Sequence, residues 1–193
     1  LFMSVGLKSD GTIWGWGLNV YGEIGDGTIV NKLSPVQIGS GNNWVAINKG
    51  LYHTFGIKSD GTLWAWGSNA SGEVGNGVPS TRVTSPVQVG TGNKWIAANG
   101  SAVSSRGIQS DGTLWAWGGN GNGEIGDGTT TARLIPVQVG TDNRWTSVDA
   151  GYYHVVGLKA NGTIYGWGYN TFGEVGDGTT VMRLSPTQAG TNQ

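Results

Sequence analysis

Apolar and polar positions alternate in short bursts along this chain, and the bursts recur. Leu63-Trp64-Ala65-Trp66 sets two indoles on one side of an extended segment, with Leu63 and Ala65 on the other. Ile13-Trp14-Gly15-Trp16, Leu114-Trp115-Ala116-Trp117 and Ile164-Tyr165-Gly166-Trp167 repeat the arrangement. Each burst follows an Asp-Gly or Asn-Gly pair (Asp10-Gly11, Asp60-Gly61, Asp111-Gly112, Asn161-Gly162), which accepts the positive φ angles of a tight hairpin. In residues 44–90, Trp44-Val45-Ala46-Ile47 reads as a first strand and His53–Lys58 as a second. Leu63–Gly67 is the third. Ser85–Val89 is the fourth, its Pro86 suited to an edge or a strand start. No segment carries a helical period. The pattern predicts an all-β protein built from units of four short antiparallel strands.

The units form an array. The turn glycines Gly11, Gly61, Gly112 and Gly162 are 50, 51 and 50 residues apart, which divides the chain into units 1–50, 51–101, 102–151 and an incomplete 152–193. A unit of this length cannot bury its own apolar face, and stacked neighbours do so together. Each predicted sheet has a bulky aromatic face and a shallow face with Gly or Ala at its centre. Nesting one on the other fills space without voids, and twisted sheets stacked this way curve around an axis. The expected architecture is a β-propeller, or part of one, with four-stranded antiparallel blades.

The full string Asp-Gly-Thr-Leu-Trp-Ala-Trp-Gly-x-Asn-x-x-Gly-Glu-Val-Gly, followed by Pro-Val-Gln-Val-Gly, resembles the regulator of chromosome condensation repeat family, four times over and across essentially the whole chain. Gly50-Leu51-Tyr52-His53 and Gly151-Tyr152-Tyr153-His154 match the Gly-x-x-His that family repeats carry before the hairpin. The third unit departs, with Gly100-Ser101-Ala102-Val103-Ser104 and one extra residue. Glu also stands where the family often has Gln. The resemblance implies a propeller, commonly seven-bladed, whereas four units fall short of seven. Three completions stay open: a longer propeller of which this is a segment, a ring or stack shared between chains, or four blades closing alone.

Composition narrows the chemistry. The 193 residues include 37 Gly and 10 Trp, only 12% are charged, and the net charge is −1. So many indoles exclude a disordered chain. The charge balance and the lack of a Lys/Arg block argue against nucleic acid or an anionic membrane as partner. No apolar run reaches the ~20 residues of a membrane span. Without cysteine there is no disulfide or thiol chemistry. Low charge with abundant Thr, Asn and Gly favours an extracellular or cell-surface setting, with the cytoplasm as the alternative.

Most candidate sites reduce to scaffold. Asp26-Gly27-Thr28, Asp127-Gly128-Thr129 and Asp177-Gly178-Thr179 lack the alternating acidic ligands of a calcium loop and read as turns, so no metal or other cofactor is expected. The four Glu (Glu23, Glu73, Glu124, Glu174) fill one motif slot, where a carboxylate must accept loop N–H groups or pair with a base. His53 and His154 read as structural. Neither a Ser–His–Asp constellation nor a phosphate-cradling loop is found, so the expected protein is not an enzyme.

Binding is sought where the copies differ, in the loops. Tyr21, Tyr52, Tyr153 and Phe172 are candidate aromatic anchors, and Lys32, Arg82, Arg133 and Arg183 a candidate cationic arc. The leading expectation is a non-catalytic protein-interaction or structural scaffold, part of a larger surface or secreted protein or assembly. Its expected partner is a protein, and self-association would complete the array. Carbohydrate binding on a repeated aromatic platform is the alternative, and it needs exposed rings in equivalent positions. The resemblance further implies guanine-nucleotide exchange, or enzyme inhibition of the kind similar bacterial propellers exert on β-lactamases.

Overall fold

The computed structural model describes residues 3–92 and 94–190; the outer ends of the first and last units, residues 1–2 and 191–193, lie outside the described residues. It contains strands and no helix among the described residues, so none is long and apolar enough to cross a membrane. Among the described residues, fifteen strands make four antiparallel sheets. The first sheet comprises β1 (Met3–Leu7), β2 (Ile13–Gly17) and β3 (Lys32–Gln37). The second runs β4 (Trp44–Lys49), β5 (His53–Lys58), β6 (Leu63–Ser68), β7 (Arg82–Gln88) in space as in sequence. β8 (Trp95–Gly100), β9 (Ser104–Gln109), β10 (Leu114–Gly118) and β11 (Arg133–Gln138) form the third. β12 (Trp145–Ala150), β13 (His154–Lys159), β14 (Ile164–Gly168) and β15 (Arg183–Gln188) form the fourth.

The expected four-stranded unit therefore holds for three blades, and the first shows three strands among the described residues. Each complete blade starts at its leading Trp, so β4 belongs with the second sheet although it precedes residue 51. β7 begins at Arg82, earlier than Ser85. Its pairing with β6 slips between Ala65 and Gly67, and that irregularity lets Arg82 lie opposite Ser68.

The core consists of three clusters, one at each junction between consecutive blades. Ile13, Ile24 and Ile38 of blade 1 pack with Trp44 and Trp66 of blade 2. Phe55, Leu63, Ala65, Val74 and Val89 of blade 2 pack with Trp95 and Trp117 of blade 3. Ile108, Leu114, Ala116 and Ile125 of blade 3 pack with Trp145, Val155 and Trp167 of blade 4. The shallow face thus receives the aromatic face of the next blade, as the alternation predicts. Trp66, Trp117 and Trp167 are at most 1% exposed, which makes them the principal apolar load of each junction.

Inside a blade, the leading Trp lies edge-on to both rings of the hairpin strand, as Trp44 does to Trp64 and Trp66 at 6.2 Å. It can approach because the facing residue is glycine: a Cβ on Gly56 would come within 2.5 Å of the Trp44 ring. The Lys58 ammonium caps this cluster 3.9 Å from the Trp64 centroid, and Lys159 does the same 3.7 Å from Tyr165.

Candidate functional site

The repeated glutamate organises the loops. In each blade one carboxylate oxygen accepts the backbone N–H two residues upstream, from Tyr21, Ser71, Asn122 or Phe172, at 2.8 Å. Burial pushes the carboxyl groups of Glu23 and Glu73 above the usual range. The same residue's main-chain carbonyl faces the next blade. Glu23 O accepts the Trp66 indole N–H at 2.9 Å and the Thr54 hydroxyl at 2.8 Å. Glu73 O accepts from Trp117 and Ser105, and Glu124 O accepts from Trp167. One residue therefore pins its own loop with its side chain and the neighbouring blade with its backbone. The recurring Asn acts alongside it: Asn120 Oδ1 accepts the Ile125 N–H, while its Nδ2 donates to the carbonyls of Thr129 and Thr131.

These loops place all eight candidate residues at one end of the array, formed by the links from first to second and from third to fourth strand. The Ser68 N–H bonds to Tyr52 O there, tying the two kinds of loop together. Tyr21 of blade 1 and Tyr52 of blade 2 meet edge-on at 5.4 Å. Tyr153 packs against Tyr152 and Tyr169. Phe172 is 85% exposed and stands apart from these rings. A cleft of about 450 Å³ opens nearby, lined by Gly50, Leu51, Ser101, Ala102, Gly151 and Tyr152, among others.

The basic residues do not make a free cationic arc. Lys32 pairs with Asp26 at 2.7 Å, Arg133 with Asp127 and Arg183 with Asp177, each across the same loop. In blade 2 Asn76 replaces the aspartate, and Arg82 instead donates to Val20 O of blade 1 at 3.0 Å. The aspartates meanwhile accept from their own Thr two residues on, as turns do.

His53 is 1% exposed and lies between blades 2 and 3, its Nε2 3.0 Å from the Ser105 hydroxyl and its ring edge-on to Phe55. Burial, reinforced by the Arg106 charge, drives its pKa down to about 3, so the ring is neutral. The corresponding residue of blade 3 is Ser104, and two features there escape a reading of the sequence. First, Ser101 N bonds to Ser104 O just as Gly50 N bonds to His53 O, so this loop has the ordinary length. The additional residue expected there belongs instead to blade 2, in Val78-Pro79-Ser80-Thr81. Second, the space left without an imidazole takes the fully buried Arg106, whose Nη2 donates to Ser104 Oγ at 2.7 Å. Burial lowers the Arg106 pKa to about 10, while Asp149 and Glu124 favour its charge. The signal was present in the paired change to Ser104 and Arg106, but only burial gives it meaning.

The carbohydrate reading needed rings exposed in equivalent positions. The leading indoles and the second of each Trp pair in blades 2–4 are buried, and Trp14, Trp64 and Trp115 are half-buried, each donating to a turn Thr hydroxyl. No group of three or more metal-ligating side chains occurs among the described residues.

Radially stacked antiparallel blades joined face to shallow face define a β-propeller repeat protein. The Regulator of chromosome condensation (RCC1) repeat model matches residues 10–57, 60–102, 111–158 and 161–193, and the chain belongs to this family. A second model of the same repeat matches 44–73 and 145–174. Among solved structures, the fold is similar to Prp20p from Saccharomyces cerevisiae, studied for its binding to Gsp1p and histones (TM-score 0.87, 23% identity, 97% of this chain and 48% of that one). It is also similar to human WBSCR16 (TM-score 0.86, 21% identity, 97% and 50%) and to yeast RCC1 (Prp20) bound to Kap60 (TM-score 0.85, 21% identity, 97% and 46%). The chain thus spans about half the length of the structures it matches. No curated protein matches the sequence.

Proposed function

We propose that this chain is a non-catalytic protein-interaction module that recognises its partner through the loop end carrying Tyr21, Tyr52, Tyr153 and Phe172. The observation that carries the reading is the contrast along each loop. The Glu and Asn frame is the same in every blade, whereas the residues it holds outward differ: Val20-Tyr21, Ala70-Ser71, Gly121-Asn122, Thr171-Phe172. A rigid frame presenting varied side chains, with an exposed Phe and a paired Tyr set, suits a protein surface better than a small substrate. Yeast Prp20p, of like fold, binds proteins, which agrees with a partner of that class. Because three of the four cations are paired within their loops, the aromatics and Arg82 carry the recognition. The low charge keeps a place outside the cell as the compartment we favour.

The test compares the chain with a Tyr21→Ala/Phe172→Ala variant in quantitative co-purification from the native source. A partner that is lost from the variant by at least about tenfold, with an unchanged melting temperature, supports the reading. Equal recovery of every co-purifying protein with both chains overturns it.

A further inference from the structure

One backbone position beside each hairpin turn is occupied by Lys8, Lys58, Gln109 or Lys159, and its N–H donates to the turn carbonyl of Thr12, Thr62, Thr113 or Thr163. Each of the three lysines lays its ammonium on the first ring of its hairpin strand. The distance to the ring centroid is 3.9 Å over Trp14, 3.9 Å over Trp64 and 3.7 Å over Tyr165. Lys58 and Lys159 stand also 5.0 and 4.8 Å from the leading indoles Trp44 and Trp145. Two aromatic rings thus share one cation, whose methylene stem lies along apolar surface.

Blade 3 keeps the rings and lacks the cation. Trp95 and Trp115 meet edge-on at 6.4 Å, as Trp44 and Trp64 do at 6.2 Å. Gln109 pairs with Trp95 as Lys58 pairs with Trp44 and Lys159 with Trp145. No lysine or arginine stands over either ring of blade 3 among the described residues. A cleft of about 450 Å³ opens there, lined by Trp95, Trp115, Gln109, Lys94, Ile135 and Pro136 among others. Asp111 repeats Asp10 and Asp60, the carboxylates that feel the Lys8 and Lys58 charges, while Lys94 is exposed and acts on Asp111. In blade 4 Asp142 also holds Lys159, at 3.0 Å. Three residues before its leading Trp, blade 2 has Gly41 in that place, as blade 3 has Gly92, and Lys58 is seated all the same. The rings alone are enough.

We propose that this seat receives a lysine side chain from a protein partner, whose ammonium takes over Trp115 the place that Lys58 takes over Trp64. The occupant is read from the other copies, which fill the seat with lysine three times and with arginine never. The two indoles, Ile135 and Pro136 give its methylene stem an apolar wall. The seat lies at the hairpin end of blade 3, opposite the end that carries Tyr21 and Phe172, so the inference does not depend on what those loops bind.

The test uses the ¹⁵N-labelled 193-residue chain, with the Trp115 and Trp95 indole N–H resonances followed by NMR. The probe is a short Gly/Ser peptide with one central lysine, and saturable shifts of the Trp115 resonance are expected. The same peptide with that lysine acetylated keeps the length and loses the charge, and is expected to bind at least about tenfold more weakly. Gln109→Lys restores the residue of the other copies and fills the seat from within, so the lysine peptide is expected to lose at least about tenfold in affinity. Lys94→Gln removes a neighbouring positive charge and is expected to bind no less tightly than the wild type. Equal binding of the two peptides, undiminished binding to Gln109→Lys, or tighter binding of an arginine peptide overturns the inference. So does n-butylammonium binding as tightly as the peptide, which would give the seat to a small amine. A wild type that ignores the peptide overturns it too, including where Lys94→Gln alone responds, because the chain then occupies its own seat.

Discussion

At the scale of residues, the conserved-looking chemistry of the motif is backbone chemistry. In all four copies the Glu carboxylate satisfies a loop N–H, in the first three its carbonyl also takes the neighbour's indole, and neither role calls for a substrate. His53 illustrates the cost of such burial. Its pKa falls from 6.5 in the unfolded chain to about 3 in the folded one. Between those values the unfolded state binds the proton that the folded state refuses. The stability this neutral imidazole contributes is therefore complete above pH 6.5 and is lost as pH falls toward 3. Urea denaturation midpoints are expected to drop between pH 7 and pH 4 in the wild type and to drop less steeply in His53→Gln. Parallel pH profiles for the two proteins would remove His53 from this account.

At the scale of elements, much of the blade was legible in the sequence. Period-two alternation gave the strands, the Asp-Gly pairs gave the hairpins, and the indole-against-glycine contrast gave the pairing of a bulky face with a shallow one, though not which neighbour supplies each. The loops were less legible. Arg133 and its Asp127 partner are six residues apart around a curved loop, so their pairing depends on a fold that strand alternation does not describe. Arg106 was equally hidden, because a lone Arg in a strand normally reads as a solvated charge. The junction has little tolerance for added bulk. Gly126 has φ +80° and a Cβ there would come within 2.7 Å of Trp167 Nε1. Gly126→Ala is expected to destabilise the chain by about 2 kcal/mol or more, from positive-φ strain together with overpacking. A calorimetric melting temperature within a degree of the wild type would show that the junction yields, contrary to this picture.

At the scale of the whole molecule, the array is a series of like joints, each placing a blade's second indole on its predecessor's Glu carbonyl. The RCC1 repeat model matches all four copies, the fold is similar to those of Prp20p and WBSCR16, and the loop end is what the joints hold in place. Hydrogen exchange of the indole N–H groups, read by NMR, tests it most directly. The Trp66, Trp117 and Trp167 protons lie inside junctions and can exchange only when blades part. Those of Trp64 and Trp115 rest on turn hydroxyls at the surface. The first three are expected to exchange at least about a hundredfold more slowly, at the free energy of blade separation. Equal, rapid exchange of all five would mean that the blades do not rest on one another as described.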